Sequence, residues 1–373
     1  MLIGIPKEIK KHEYRVGATP AIVKELTAHG HSVIVEQGAG EKIGFTDAKF
    51  EEAGALIGRQ ADEAYRADLV VKVKEPQPEE FNYLRKGQTL FCYLHLAAEP
   101  VLTRELLEKN VTAIAYETVT DREGKLPLLT PMSAIAGRFS IQAGAACLQL
   151  NNGGKGMLLS GIAGVRPARV LVIGGGVSGT EALRAALGLG ADVTVLDTKI
   201  ERLRELDLLF GPKLRTRLST QAVLEELLPE ADLVIGAVLA KLGKRAPRLI
   251  SRQMLKTMEP GSAVVDISID QGGVFETSRP TTHENPTYIE EGIVHYCVTN
   301  MPGAVARTST EALTNATLPY IITLAEKGVK RALKEDANLL NGLNTCLGEV
   351  TCEPVSMDLG LTLASFDRAL SRL

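Results

Sequence analysis

The sequence predicts an α/β protein built from two doubly wound parallel sheets, one inserted into the other. Three observations carry this reading. Strand-like apolar runs alternate with helical patterns from Leu2 to Tyr116, the signature of a parallel sheet wound by crossover helices. A second unit begins where Val170 to Ile173 run straight into Gly174-x-Gly176-x-x-Gly179. At 373 residues, with 45% hydrophobic residues and 35 glycines, the chain is too long for one ordinary core and has the composition of a globular α/β protein.

Taken in order, Leu2 to Ile5 reads as a strand and Pro20 to His29 as a helix stopped by Gly30. Ser32 to Glu36 is a strand, Asp47 to Ala53 a helix, and Leu69 to Val73 and Thr89 to Tyr93 are strands. Val101 to Lys109 is a helix and Thr112 to Tyr116 a strand. A long Ala/Gly-rich helix is expected from Met132 to about Leu150, ended by Asn151-Asn-Gly-Gly154. Beyond the glycine turn, a helix from about Ser178 to Leu189 leads to the strand Val193 to Leu196. Leu233 to Ala237, Ala263 to Asp266 and Ile293 to Val298 are further strands. Ser309 to Ala325 reads as a helix capped by Ser309, and the tail from Val329 to Leu373 as mostly helical. The simplest architecture places residues 129–306 as an inserted domain within a discontinuous domain of residues 1–128 plus 307–373.

The glycine turn has a mechanical reason for each position. Gly174 permits the tight exit from the strand, Gly176 lets backbone approach a pyrophosphate, and Gly179 lets the helix pack closely on the sheet. The helix start at Val177 and Ser178 then aims unpaired N–H groups at an anion. Asp197 ends the next strand, where a carboxylate accepts hydrogen bonds from a ribose and repels a 2′-phosphate, so the expected cofactor is NAD.

Other classes are disfavoured. A net charge of −3 without a long basic run argues against nucleic acid. Lys7 and Glu8 cut short the opening apolar run, so no signal peptide is expected, and no uncharged stretch reaches membrane-span length. The cysteines (Cys92, Cys147, Cys297, Cys346, Cys352) are odd in number and lack a C-x-x-C pair, which suits buried thiols in a reducing cytoplasm. Scattered histidines give no zinc pattern and no metal is expected.

Ligands in open parallel sheets sit at the carboxyl ends of the strands. Charged groups there are Lys7, Glu8 and Arg15 after the first strand, Lys72 and Lys74, His95, Glu117, and Asp266 and Asp270. Strand alternation would put Phe91, Tyr93 and His95 on one face. His95 is either a satisfied histidine or a proton relay. Lys72 and Lys74 are a solvated edge, or Lys74 is a polarising group, Arg15 is a surface ion-pair partner or a ligand cation, and Asp270 a turn-former or a ligand group.

Together these segments resemble the alanine dehydrogenase/pyridine nucleotide transhydrogenase α-subunit family, and most closely its alanine dehydrogenases. The shared pieces are Ile3-Gly-Ile-Pro-Lys-Glu8, Glu13-Tyr-Arg-Val16, Leu69-Val-Val-Lys-Val-Lys-Glu-Pro76, Leu94-His-Leu-Ala-Ala98 and Ile114-Ala-Tyr-Glu-Thr118. Further along come Pro131-Met-Ser133, the glycine turn, Ala231-Asp-Leu-Val-Ile-Gly-Ala237, Val265-Asp-Ile-Ser-Ile-Asp-Gln-Gly-Gly273, Ser278-Arg-Pro-Thr-Thr282, Asn300-Met-Pro302 and Ala312-Leu-Thr-Asn-Ala-Thr317. The resemblance implies NAD-dependent, reversible oxidative deamination of L-alanine to pyruvate and ammonium in the cytoplasm. Hydride would pass from Cα to NAD, and water would then hydrolyse the resulting imine. It further implies a homohexamer, and it gives residues 1–128 plus 307–373 to the substrate and 129–306 to NAD.

The resemblance also implies roles. Arg15 would pair with the substrate carboxylate and Lys74 would hold and polarise its oxygen. His95 would be the general acid/base, with Asp270 working beside it. Ser133, Val177, Ser178, Asp197, Arg202, Ser219, Val238, Leu239, Ile267, Ser268, Ile269, Asp270, Arg279, Val298, Thr299, Asn300 and Met301 would contact the cofactor. The turn reads Gly-Gly-Gly where many relatives have Gly-Ala-Gly, which keeps the fingerprint glycines. The loop from Ala240 to Ala246 varies in length across the family, which loosens the matches at Val238 and Leu239. Two rivals are a hydride-transfer transhydrogenase subunit, which would have no amino acid to hold, and a dinucleotide-binding protein without catalysis.

Overall fold

The structure is a computed structural model that describes residues 1–238 and 245–373. Leu239 lies outside the described residues. The chain divides into two compact units, Met1–Met132 with Val305–Leu373, and Ser133–Ala304.

The elements of the chain begin with β1 (Leu2–Ile5), α1 (Pro20–Ala28), β2 (Ser32–Glu36), α2 (Asp47–Glu52), β3 (Leu56–Gly58), α3 (Ala61–Tyr65), β4 (Leu69–Val71), β5 (Thr89–Cys92), α4 (Pro100–Glu108) and β6 (Thr112–Ala115). Then α5 (Thr130–Cys147) passes the division between Met132 and Ser133. The second unit follows with β7 (Arg169–Ile173), α6 (Val177–Gly188), β8 (Asp192–Asp197), α7 (Ile200–Phe210), β9 (Leu214–Leu218), α8 (Gln221–Leu227), β10 (Leu233–Gly236), α9 (Arg252–Leu255), β11 (Ala263–Asp266), β12 (Thr287–Glu290) and β13 (Ile293–Tyr296). The chain returns to the first unit in α10 (Ala306–Lys327), α11 (Val329–Glu335), α12 (Ala337–Leu340), β14 (Leu343–Cys346), β15 (Glu349–Val350), α13 (Glu353–Leu359) and α14 (Phe366–Arg372).

Both sheets follow one plan. In the first, β1 to β6 are parallel in the order β3-β2-β1-β4-β5-β6. In the second, β9-β8-β7-β10-β11-β13 repeats that order, with β12 antiparallel at the edge. This is the doubly wound topology, and in each unit the order reverses beside the first strand. Central strands buried on both faces need unbroken apolar runs, and β4, β5, β6, β10 and β11 are buried at every position.

The tail departs from expectation. Its helices are broken by β14 and β15, which pair antiparallel and extend the first sheet beyond β6. A two-residue turn joins them, with Leu347 at φ 46° and Gly348 at φ 90°, the twist a tight hairpin demands. Ser309 is not a cap, because the helix begins at Ala306 and buries Ser309 in its second turn. The long helix ends at Cys147, ahead of the expected Leu150, and Leu150–Asn152 forms a 3₁₀ turn. The fifth strand ends at Cys92, so His95 does not continue the Phe91/Tyr93 alternation; it adopts a left-handed backbone, φ 50°.

The turn after β7 is held by two contacts that tolerate no side chain. A Cβ on Gly179 would lie 1.8 Å from the Gly174 carbonyl oxygen, and one on Gly174, at φ +98°, would lie 2.5 Å from the Ala237 oxygen. A Cβ at Gly188, later in the same helix, meets nothing within 4 Å. Gly179→Ala should therefore lower stability by about 1–3 kcal/mol through overpacking. Gly188→Ala should raise it by roughly 0.5–1 kcal/mol. Thermal melts of both variants check the contrast, and equal shifts would refute it.

Candidate functional site

In the first unit the charged candidates gather where β1 and β4 diverge in strand order. The loop after β1 runs over the end of β4 so closely that a Cβ on Gly17 would lie 2.4 Å from the Val71 oxygen. The Val16 N–H donates to Thr310 Oγ1 of α10 at 3.3 Å, which seats this loop from the other side. Arg15 is thereby buried, only 2% exposed, far from the surface ion pair a loop arginine usually makes.

Arg15 meets Glu13 through two parallel bonds, Nε to Oε1 at 2.7 Å and Nη2 to Oε2 at 2.5 Å, while Nη1 points at Met132 Sδ, 3.1 Å away. Burial pushes the Glu13 carboxyl up, but the bonds and charge of Arg15 outweigh it and hold it below the usual carboxylate range. Lys74 is half-buried, and burial first, then the Arg15 charge, lower its ammonium pKa. Those two cations are therefore electrostatic neighbours.

Lys72 is wholly buried, not at a solvated edge. Its Nζ lies 2.8 Å from Glu80 Oε1 and 3.3 Å from Glu8 Oε2. Glu80 also accepts from the Tyr65 hydroxyl at 2.9 Å and from the Gln77 N–H at 2.7 Å. Glu8 turns its other oxygen, Oε1, to the N–H groups of Val73 at 2.7 Å and Lys74 at 3.2 Å. Burial pushes the Glu8 carboxyl up to about 7 against the lowering pull of Lys72.

His95 follows β5 with 45% of its side chain exposed. The buried Glu117, after β6, accepts the His95 N–H at 2.6 Å and the Leu94 N–H at 3.1 Å through Oε1. That oxygen is 3.9 Å from His95 Nδ1. The Tyr93 ring stacks on the imidazole with centroids 6.2 Å apart, and the Tyr93 hydroxyl donates to the Leu128 oxygen at 2.6 Å. Glu117 thus fixes a backbone conformation that costs a non-glycine residue energy, and does so beneath an exposed imidazole.

The second unit carries the glycine turn at the reversal between β7 and β10. A Cβ at Gly176 would meet nothing, so space for a ligand opens over the start of α6, where Val177 is exposed and Ser178 half-exposed. Asp197 accepts the Gly175 N–H at 2.8 Å and the Lys199 N–H at 2.9 Å. Arg202 ties the same turn, Nε to the Gly175 oxygen and Nη2 to Thr180 Oγ1, both at 2.7 Å. Ser219, after β9, donates its N–H to the Asp197 carbonyl oxygen at 2.9 Å. A pyrophosphate-and-ribose cofactor fits this cradle: open room at Gly176, a helix N-terminus, and an acidic group at the next strand end.

The remaining residues with an expected cofactor role lie on the loops of this unit. Val238 exchanges bonds with Ser268, whose Oγ accepts its N–H at 3.0 Å and donates to its carbonyl oxygen at 2.8 Å. Ile267, Ser268, Ile269 and Asp270 form a 3₁₀ turn after β11, with Asp270 exposed. The turn hangs on Asp266, a wholly buried carboxylate that accepts from the N–H groups of Ser268 at 3.1 Å and Val274 at 2.9 Å and from Ser278 Oγ at 2.5 Å. Burial raises its pKa. Arg279 lies 3.8 Å over the Tyr288 ring. Val298 and Met301 are buried, Thr299 and Asn300 are half-buried after β13, and Ser133 is half-buried in α5. Among the described residues no group of three His, Cys, Asp or Glu is placed to hold a metal, and no helix is long and apolar enough to cross a membrane.

The residues thus separate by unit: Arg15, Lys74 and His95 in the first, Asp270 and the cofactor candidates in the second. Sequence reasoning passed over Glu13, Met132 and Thr180 as site residues. Glu13 stands two positions before Arg15, the reach of a local carboxylate–guanidinium fork; Met132 lies in the shared segment Pro131-Met-Ser133, and no sequence pattern marks Thr180.

Two sheets of this topology, one bearing a dinucleotide turn and the other a cluster of buried cations beside an exposed histidine, define a two-domain oxidoreductase of the kind that uses a nicotinamide cofactor. Comparison with known proteins narrows the class. The Alanine dehydrogenase/PNT N-terminal domain model matches residues 4–136 and the C-terminal domain model residues 140–353. The chain is 57% identical to the alanine dehydrogenase of Halomonas elongata over 362 residues, 97% of each chain. It is 52% identical to that of Bacillus subtilis over 372 residues, 99% of this chain and 98% of the other. A solved L-alanine dehydrogenase superposes with TM-score 0.94 at 48% identity, covering 96% of this chain and 99% of that one. A transhydrogenase from Sinorhizobium meliloti shares the fold, with TM-score 0.80 at 24% identity, covering 95% of this chain and 99% of that one. The chain belongs to the alanine dehydrogenase/pyridine nucleotide transhydrogenase family.

Replacing Glu13 with Ala removes the bidentate carboxylate from a buried guanidinium. The expected loss is about 3–5 kcal/mol. Glu13→Met combined with Arg15→Met, which deletes both charges, should be markedly less damaging. Chemical denaturation of the two variants measures the difference.

Proposed function

We propose that this chain is an NAD-dependent L-alanine dehydrogenase, converting L-alanine, NAD+ and water reversibly to pyruvate, ammonium, NADH and a proton. What supports the reading most is full-length identity to alanine dehydrogenases, 57% across 97% of both chains, with Arg15, Lys74 and His95 all present at the carboxyl ends of one sheet. In this reading the first unit holds the amino acid and the second holds NAD. The assembly is a homohexamer in the cytoplasm, as the family resemblance implies.

A bound nicotinamide supplies the hydride acceptor. The chain's residues do the rest. Arg15, fixed by Glu13, presents a planar guanidinium to the substrate carboxylate. Lys74, its ammonium pKa lowered by burial and by Arg15, binds and polarises the oxygen that becomes the pyruvate carbonyl. His95 takes the proton from the water that attacks the iminium carbon and returns it to the leaving amine. Asp270 acts beside it as the second polar group. Gly174, Gly176, Val177, Ser178 and Gly179 hold the pyrophosphate, Asp197 the adenosine ribose. Ser133, Arg202, Ser219, Val238, Leu239, Ile267, Ser268, Ile269, Arg279, Val298, Thr299, Asn300 and Met301 complete the cofactor contacts.

The decisive assay is NAD reduction with L-alanine as sole amino acid at alkaline pH; NAD binding with no alanine-dependent absorbance change would refute the enzyme. His95→Ala should lower kcat by roughly 10²–10⁴, the usual worth of acid–base catalysis, with NAD binding intact. Near-normal turnover would remove His95 from the mechanism. Asp197→Ser should narrow the preference for NAD over NADP by at least tenfold in kcat/KM, as roughly 1.4 kcal/mol of charge repulsion is lifted. An unchanged ratio would place cofactor choice elsewhere.

A further inference from the structure

Glu8 and Lys72 have no part in the chemistry just described, yet both are buried beside it, Glu8 7% exposed and Lys72 wholly enclosed. A carboxylate and an ammonium are expensive to remove from water, and an apolar pair of similar size is often as stable or more so. The arrangement is also asymmetric. Glu8 spends Oε2 on Lys72 and aims Oε1 at the backbone N–H groups of Val73 and Lys74, just past the end of β4 at Val71.

We infer that Glu8 is a positioning residue for Lys74, holding the backbone of Val73 and Lys74 in the conformation that carries the Lys74 ammonium to the substrate, with Lys72 as its buried counter-charge. The inference rests on the reading of Lys74 as a substrate-binding residue.

The geometry gives three reasons. The Glu8 oxygen accepts both successive N–H groups, at 2.7 and 3.2 Å, so it fixes the orientation of the two peptide planes flanking the Val73 Cα. Of the neighbouring ladder bonds, the Lys72 N–H goes to the Phe91 oxygen at 3.2 Å and the Tyr93 N–H to the Val73 oxygen at 3.1 Å. Glu8 therefore takes over as acceptor where the donors of β4 stop pairing with β5. Finally, Lys72 is itself anchored at the far end, by Glu80, which is held by Tyr65 and by the Gln77 N–H. The chain of contacts runs from Glu80, in the 3₁₀ turn Pro78–Tyr83, through Lys72 and Glu8 to the backbone of Lys74.

The test uses the full-length enzyme, pyruvate, ammonium and NADH. Lys74→Met examines the underlying reading: wild-type kcat/KM for pyruvate in that variant overturns it, whatever Glu8 does. Given an impaired Lys74→Met, Glu8→Ala should lower kcat/KM for pyruvate by roughly tenfold to a hundredfold, the scale expected when a binding group is misplaced by about an ångström. The KM for NADH should stay unchanged. Glu8→Asp keeps the charge for Lys72 but retracts the oxygen by one methylene, so it should show the same loss even where Glu8→Ala does not fold. Glu8→Gln, which keeps the acceptor oxygen, should recover most of the activity. In the Lys74→Met background Glu8→Asp should cost nothing further. As a readout independent of turnover, the pH dependence of Lys74 acetylation by trace acetic anhydride, read by peptide mass spectrometry, should shift in Glu8→Asp. Wild-type pyruvate kinetics and labelling in Glu8→Asp overturn the proposal. So does a parallel rise in both KM values, or an equal loss in the Lys74→Met background.

Discussion

A parallel sheet whose strand order reverses leaves a crevice at the carboxyl ends of the two strands beside the reversal, because the connections on either side depart in opposite directions. Both sheets of this chain reverse beside their first strand. In one, the crevice receives a glycine turn that admits no side chain at Gly174 or Gly179 and leaves room at Gly176. In the other, it receives Arg15, Lys74 and Glu8, carried on the loops after β1 and β4. The same topology thus presents two kinds of group, backbone N–H groups at a helix start in one unit and buried cations in the other.

Placing charge in a crevice floored by apolar strands obliges the fold to compensate it. Arg15 has Glu13, Lys72 has Glu8 and Glu80, and His95 rests on the carboxylate of Glu117. Asp266 is compensated differently, by two backbone N–H groups and a hydroxyl, which suffices to hold a 3₁₀ turn but leaves the carboxyl with a raised pKa. In each case a carboxylate meets backbone N–H groups as well as, or instead of, a cation. The acidic residues around these crevices act as fasteners for the loops that bear the exposed Asp270 and His95.

Much of this was legible in the sequence, and the illegible part has a physical pattern. The central strands were readable because burial on both faces demands unbroken apolar runs such as Val170 to Ile173. Of the strands that escaped, β3, β9, β12 and β15 are sheet edges, where Leu214-Arg-Thr-Arg-Leu218 alternates with charge and Glu349–Val350 is too short to register. The interior β14 was missed because Leu343-Asn-Thr-Cys346 carries polar residues in a buried strand. The hairpin turn at Leu347 and Gly348 was hidden because leucine rarely takes a positive φ. Arg15, Lys74 and His95 could be singled out as charges after strands. Their burial and partners could not, since contacts such as Glu8–Lys72 join segments far apart in the sequence that meet only when β1 pairs with β4.

The first sheet ends in two very short strands, β3 of three residues and β15 of two. A free strand rim is the usual foothold for intermolecular stacking, and its hazard grows with the length of unsatisfied backbone on offer. Here the outer rims present so few donors and acceptors that another molecule could zip onto them only briefly. The brevity of β3 and β15 therefore leaves an eight-stranded, strongly apolar slab with little backbone on which a second molecule could stack.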